Sequence, residues 1–155
     1  MKVILDSNVF DDVVKGKIDL DIFEKNNIEV CITHIQVDEI NECPDKEKRA
    51  LLFNSMTALR PEKIPSESFV IGVSRIGEAK ITDGDHIIEQ LRNSNIKRTN
   101  DAIIGETAIK NDLILITNDK RFKNKVIELG GHAMDTEELI RNIGDGIKDK
   151  NFLYD

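Results

Sequence analysis

Several things are scarce in this 155-residue sequence, and each scarcity narrows what the chain can be. No apolar run approaches the roughly 20 residues that a membrane span needs. The opening run, residues 1–5, is far too short for a signal-peptide core and meets an aspartate at once. These two readings place the chain in the cytoplasm, away from membranes. Cysteine is sparse: Cys31 and Cys43 lack the spacing of a zinc knuckle, and Cys31 lies in an apolar run that favours burial over a disulfide. The three histidines, His34, His86 and His132, show no ligand spacing and read as surface or capping residues. The three prolines, Pro44, Pro61 and Pro65, punctuate the chain without dividing it, and no repeat or low-complexity tract is present. Basic residues are also in deficit: 22 against 29 acids, a net charge of −7. Such a chain is a poor generic binder of nucleic acid, since phosphate attraction needs a basic surface. Only a bound cation that reverses the local charge, or a local basic patch, reconciles this balance with a nucleic-acid substrate.

What is present is a soluble globular balance, 39% apolar and 33% charged, in a length that suits one domain. Residues 2–5, 29–32 and 113–116 are short apolar runs rich in branched residues, the pattern of strands buried on both faces. Residues 132–134 read as a short last strand. Helical patterns fall over 9–15, 19–26, 45–60, 85–94, 101–110, 123–129 and 137–142. Another helix, through about Glu42, starts at Thr33-His34-Ile35-Gln36, which has the form of a capping box. Ala50, Leu51, Met56 and Leu59 are the expected core positions of the 45–60 helix. Thr99-Asn100 and Thr136 are the expected caps of the helices that follow them, and Gly130-Gly131 the expected stop of 123–129. Residues 69–73 fit strand or helix equally, and 74–84 read as loop. Strands alternating with helices predict an α/β fold, three layers with a central, mainly parallel sheet. One domain over 1–143 and a charged tail over 144–155, with Phe152, Leu153 and Tyr154 near its end, are expected.

Parallel sheets gather functional groups at the carboxyl ends of their strands. The first strand runs into Asp6-Ser7-Asn8, and the 113–116 strand into Thr117-Asn118-Asp119. Asp101 starts the helix leading into that second strand, and Glu39 lies within about two turns of the start of the helix after residues 29–32. Four acids from four segments therefore converge on one sheet edge. Aspartates commonly cap helices, so no single one of them is diagnostic; the weight lies in their order and strand-end placement. Clustered carboxylates repel one another unless protons or a cation compensate. Mg²⁺ or Mn²⁺ suits hard oxygen donors and can stabilise charge building on a phosphodiester. Ser7, Asn8, Thr117 and Asn118 are placed to orient ligands or waters. The neighbouring acids Asp11, Asp12, Asp38 and Glu42 are assigned to solvent. Lys97 and Arg98 precede Asp101, and Lys120, Arg121 and Lys123 follow Asp119; of these Arg98, Lys120 and Arg121 are the candidates for holding RNA phosphates.

These motifs resemble the PIN-domain family, especially the VapC-type toxin ribonucleases. Val3-Ile4-Leu5-Asp6-Ser7-Asn8-Val9 is similar to the family's opening strand and first acid. Ile35-Gln36-Val37-Asp38-Glu39-Ile40 resembles the helix with its glutamate, Asn100-Asp101-Ala102-Ile103-Ile104-Gly105-Glu106-Thr107-Ala108 the helix with its third acid, and Leu115-Ile116-Thr117-Asn118-Asp119-Lys120-Arg121-Phe122 its T-x-D-x-x-F segment. The resemblance covers roughly residues 1–140. It departs at Glu106, where small residues are usual, and over 61–98. It implies metal-dependent hydrolysis of RNA phosphodiesters that leaves a 5′-phosphate and a 3′-hydroxyl. Asp6, Glu39, Asp101 and Asp119 would be the ligands of one or two Mg²⁺ or Mn²⁺ ions. It also implies an antitoxin protein as partner in the toxin branch, and a homodimer. An RNA-processing nuclease without a toxin role, or a non-catalytic RNA- or protein-binding module, would share these motifs. A phosphohydrolase is disfavoured because Asp6 is followed by Ser7-Asn8, without the D-x-D pattern.

Overall fold

The computed structural model describes residues 1–81, 86–92 and 98–144. Its centre is a five-stranded, wholly parallel sheet in the order β3-β2-β1-β4-β5. The strands are β1 (Lys2–Leu5), β2 (Glu29–Ile32), β3 (Glu62–Lys63), β4 (Ile114–Ile116) and β5 (His132–Met134). Between and around them run α1 (Ser7–Val14), α2 (Asp21–Lys25), α3 (His34–Asn41), α4 (Lys46–Ala58), α5 (Ile87–Arg92), α6 (Thr99–Lys110), α7 (Lys120–Glu128) and α8 (Thr136–Gly144). This is the expected three-layer α/β/α architecture.

The period-two geometry of strands divides the core in two. Val3, Leu5, Val30, Ile32, Ile116 and Met134 face one layer, where Val9, Phe10, Leu52 and Leu139 of α1, α4 and α8 cover them. Ile4, Cys31 and Leu115 face the other, under Ile103, Ile104 and Ala108 of α6 and Phe122 and Val126 of α7. Both layers are needed because β1 and β4 are apolar on both faces, with Ile4, Leu5, Leu115 and Ile116 all fully buried.

Local chemistry accounts for the helix starts. Thr33 and Gln36 form the reciprocal capping box of α3, and Asp45 accepts from the backbone of Glu47 and Lys48 to start α4. Asp135 caps α8, accepting from the Glu138 amide while the Glu138 carboxylate takes the Asp135 amide. Thr136, the expected cap, is therefore the first helical residue. Thr99 and Asn100 likewise lie inside α6, whose cap position is Arg98 with no side-chain bond. In α4 the buried residues are Leu52 and Met56. Leu59 is partly buried, but Leu51 is 52% exposed and Ala50 faces solvent. The helix meets the core through Leu52, Met56 and Leu59: Met56 and Leu59 are as expected, and Leu52 stands in the place expected of Leu51. Strand β3, two exposed residues, carries no apolar signal and was not expected. Residues 69–73 form neither strand nor helix; the segment is held by a bridge between Ser66 and Ala79.

His34 departs most from expectation, being fully buried rather than at the surface. Cys31 is buried and unpaired as expected, and Cys43 is free and half-buried. Both ends of the 85–94 helix, the end of the 74–84 loop, Lys97 and the tail from 145 onward lie outside the described residues.

Gly130 closes α7 at φ +85, a conformation open to glycine. Gly131 serves packing instead. A Cβ there would lie 2.7 Å from Ile109, 2.8 Å from the Val126 side chain and 3.1 Å from the Val126 carbonyl oxygen. Gly131→Ala is expected to cost about 1–3 kcal/mol through overpacking, read as a lowered midpoint in urea denaturation with an unchanged slope.

Candidate active site

The chain passes from β1 outward to β2 and β3, then returns to β4 on the other side of β1. A crevice opens where the order reverses, outside the carboxyl ends of β1 and β4. Asp6 follows β1 directly. It occupies the cap position of α1 yet makes no side-chain cap bond. Its carboxylate turns instead to the neighbouring strand end: Thr117 Oγ1 donates to Oδ2 at 2.7 Å, and Asn8 Nδ2 donates to the same atom at 2.9 Å. Thr117 Oγ1 also accepts from the Asp119 amide at 3.2 Å. One hydroxyl thus ties the two strand ends together.

Asp6 is 5% exposed. Burial pushes its pKa up to about 7, the Thr117 hydrogen bond opposes this, and the charges of Asp101 and Glu39 add to the rise. Asp101, on the first turn of α6, is raised to about 6, first by burial and then by the charges of Glu39 and Asp119, with Arg98 pulling the other way. Asp6 and the half-buried Asp101 therefore each feel two of the other three, and the predicted carboxylates share one electrostatic neighbourhood. Glu39 reaches it from α3 and is held at both oxygens: Ser7 Oγ donates to Oε2, and Asn100 Nδ2 donates to Oε1 at 3.0 Å. Asp119 has a structural duty as well. Its Oδ1 accepts from the amides of Arg121 at 2.8 Å and Phe122 at 3.0 Å and so starts α7.

Of the residues expected to orient the site, Ser7, Asn8 and Thr117 each contact a candidate acid. Asn118 does not. Its Nδ2 donates to Asp12 Oδ2 at 2.7 Å, and its Oδ1 accepts from Thr136 Oγ1 at 2.9 Å. Asp12, assigned to solvent from the sequence, is buried and also pairs with Lys17 at 3.2 Å. It fixes the turn that carries Asp119, so it belongs to the frame of the site. Asp38 and Asp11 are engaged too, with Arg75 and Lys48. Asn100 and Thr136, expected as helix caps, serve the site instead; Asn100 carries the one signal for this in the sequence, its place beside Asp101.

Among the basic candidates, Arg98 and Arg121 line a hollow of about 180 Å³ together with Asp101 and Asp119. Lys120 is exposed on the first turn of α7. Lys123 is committed elsewhere, bonded to Asp135 at 2.8 Å and Glu138 at 2.9 Å. A larger cavity of about 590 Å³ lies at the opposite edge of the sheet, beside Glu29 and Glu62 at the starts of β2 and β3. None of the candidate acids lines it.

The donor set fits a hard divalent cation. It offers carboxylate oxygens, and their mutual repulsion is what such a charge relieves. Among the described residues no three acidic, histidine or thiol groups form a ready-made metal shell. Mg²⁺ does not require one, since it usually keeps several waters and takes one or two carboxylates directly.

No curated protein matches the chain. A solved structure, the VapBC2 complex from Rickettsia felis bound to a DNA fragment from its promoter, shares the fold: TM-score 0.51 and 17% identity, covering 87% of this chain and 98% of that one. The PIN domain family model matches residues 3–127, spanning β1 through α7 and all four acids. The chain belongs to the PIN domain family.

Proposed function

We propose that this protein is a divalent-metal-dependent endoribonuclease whose Asp6, Glu39, Asp101 and Asp119 hold Mg²⁺ or Mn²⁺. The observation that carries the reading is the meeting, at one sheet edge, of acids from four separate segments, with Asp6 buried and Asp101 half-buried beside it, the charges of Glu39 and Asp101 reaching Asp6 and those of Glu39 and Asp119 reaching Asp101. Gathering like charges in this way costs the fold energy that a doubly charged cation at the same place would return. When bound, the cation would supply charge stabilisation on the phosphodiester and an activated water. The chain's own residues do the rest. Thr117 and Asn8 fix the orientation of Asp6, Ser7 and Asn100 fix that of Glu39, and Asp12 with Thr136 secures the turn before α7. Arg98, Lys120 and Arg121 would hold flanking phosphates, which supplies the local positive charge that the net −7 denies elsewhere.

RNA is the substrate the family implies. The Rickettsia felis structure is a VapBC2 complex on a promoter DNA fragment; by that likeness together with the resemblance to VapC-type toxins, this chain would take an antitoxin as partner and work as the toxin of such a pair, and by the resemblance alone it would pair with itself. Among the described residues no helix is long and apolar enough to cross a membrane.

The deciding experiment is cleavage of mixed structured RNAs with Mg²⁺, Mn²⁺ or EDTA, beside calorimetric titration of each metal. The expected result is cutting with metal and none in EDTA. Failure to bind either metal would remove the proposal and leave a binding module.

A further inference from the structure

Two departures from the family resemblance, Glu106 and the stretch from 61 onward, meet each other in the fold. Glu106 is fully buried in α6, where its Oε1 accepts from Ser68 Oγ at 2.8 Å and pairs with Lys110 at 3.1 Å. One residue on, Thr107 Oγ1 accepts from the Glu67 amide at 3.3 Å. The buried Glu67 carboxylate takes Asn111 Nδ2 at 2.8 Å and Lys80 at 2.6 Å. These bonds fasten residues 66–80 to the far half of α6. The middle of the segment reaches α3 instead. There Arg75 pairs with Asp38, the residue before Glu39, and with Glu78 at 3.7 Å. Glu78 in turn meets Lys63 of β3 at 2.5 Å. A bridge between Ser66 and Ala79 closes the segment on itself. Apolar packing contributes little to this hold: Ile71 and Ile76 are 92% and 94% exposed, and Val70 and Val73 are only partly buried. Polar bonds and ion pairs are its main fastenings.

Helices α3 and α6 carry Glu39 and Asp101. Inside the site they are joined by Asn100 Nδ2 and Glu39 Oε1 at 3.0 Å; residues 66–80 join them a second time, outside it. We propose that this segment is a clasp that holds α3 against α6 and so sets the separation of Glu39 and Asp101. The inference rests on the ribonuclease reading and deepens it. Arg75 and Ser68 are positioning residues: in the hydrogen bonds and ion pairs described they touch none of the four acids, and they act through Asp38 and Glu106. A cation held by carboxylates from two helices is sensitive to the spacing of those helices, since Mg²⁺ demands near-ideal geometry. The Arg75–Asp38 pair is partly exposed on both sides, so it adds little to overall stability. Its loss should therefore reach the metal site without reaching the fold.

The test loosens each fastening without altering the net charge: Arg75→Ala combined with Asp38→Ala at α3, and separately Ser68→Ala at α6. The isotope-labelled full chain is first followed by NMR in EDTA, where the Asn100 side-chain amide reports its bond to Glu39 directly. Its signals are expected to shift, and its protons to exchange faster, in both variants, with the urea midpoint unchanged. Calorimetric titration of Mg²⁺ or Mn²⁺ is then expected to show about tenfold weaker binding in the double variant. Arg75→Lys, which keeps the ion pair, is expected to bind metal as the parent does. Asn100 signals that stay in place in either variant would overturn the clasp, as would signals that move while metal affinity holds. A urea midpoint that falls in step with metal affinity would leave a merely stabilising segment and overturn it too. A parent that binds neither metal removes the ribonuclease reading instead, and the Asn100 signals in EDTA then decide the clasp by themselves.

Discussion

Asp6→Asn is expected to lower metal-dependent RNA cleavage by more than about 100-fold while leaving the chain folded. Changing a partner one contact removed from a metal typically costs 10–100-fold, and Asp6 is proposed to meet the metal itself. The amide preserves the shape, and its oxygen can still accept from Thr117, so the strand ends at β1 and β4 stay joined. What disappears is the negative charge. Asp12→Asn makes the useful comparison, because Asp12 acts through Asn118 and touches none of the four acids in the hydrogen bonds described. Its loss of activity should be smaller and should come with weaker metal binding through a displaced Asp119. Equal losses at both positions, measured in one RNA cleavage series, would mean that turn geometry and not the Asp6 charge limits the reaction.

A second large effect is expected with no substrate present. In EDTA the protein should become less stable as pH rises from about 4 to about 8. Asp6 is raised from 3.8 to about 7 and Asp101 from 3.8 to about 6. Between the unfolded and folded values the folded chain keeps protons that the unfolded chain has already released. The stabilisation is complete below pH 4 and is lost as pH climbs through 6 and 7. At about 1.4 kcal/mol per unit of pKa, Asp6 alone would account for roughly 4 kcal/mol. Asp101, more open to solvent, adds less, and the two share part of one effect because each feels the same Glu39 charge. Set against the ~5–15 kcal/mol of a typical domain, this is large. Urea denaturation in EDTA at pH 5 and pH 8 measures it. Asp6→Asn should flatten the dependence and melt higher than the parent at pH 8, and millimolar Mg²⁺ should restore the parent by binding only the folded state. A pH-independent midpoint in the parent would show that the acids are hydrated and ionised at little cost.

Much of this site could be read before any coordinates. Strands β1, β2 and β4 announce themselves as apolar runs, β5 is legible only as a short segment after the Gly130-Gly131 stop, and the acids that follow β1 and β4 are placed by chain order alone. The features that escaped reading share a cause. Asp12 looks like any polar residue in a helical pattern; its burial depends on Asn118, 106 residues away. Asn100 looks like a cap because asparagine usually is one, yet its partner is Glu39, 61 residues earlier. Leu51 and Leu52 are indistinguishable by composition, and only the packing of α4 against α1 selects the second. Strand β3 is exposed on both residues, so no hydrophobic signal exists to find. Lys123 sits among basic residues beside a candidate acid, but Asp135 and Glu138 claim it from the far end of β5. Local chemistry is written locally; partners brought in by topology are not.

The position of β1 in the middle of the sheet has a consequence for synthesis. A growing chain releases its amino end first. Strands β1 and β2 can pair early, but the other side of β1 waits for residues 114–116, which pair with Val3, Ile4 and Leu5. Contacts of such long range form slowly, because loop entropy must be overcome before they are rewarded. Until then Asp6 has no Thr117, and Asp101 and Asp119 are not beside it. Asp6 and Glu39, on the early part of the chain, therefore stay apart from Asp119 until the last strands pair, so the candidate site is among the last features the fold completes.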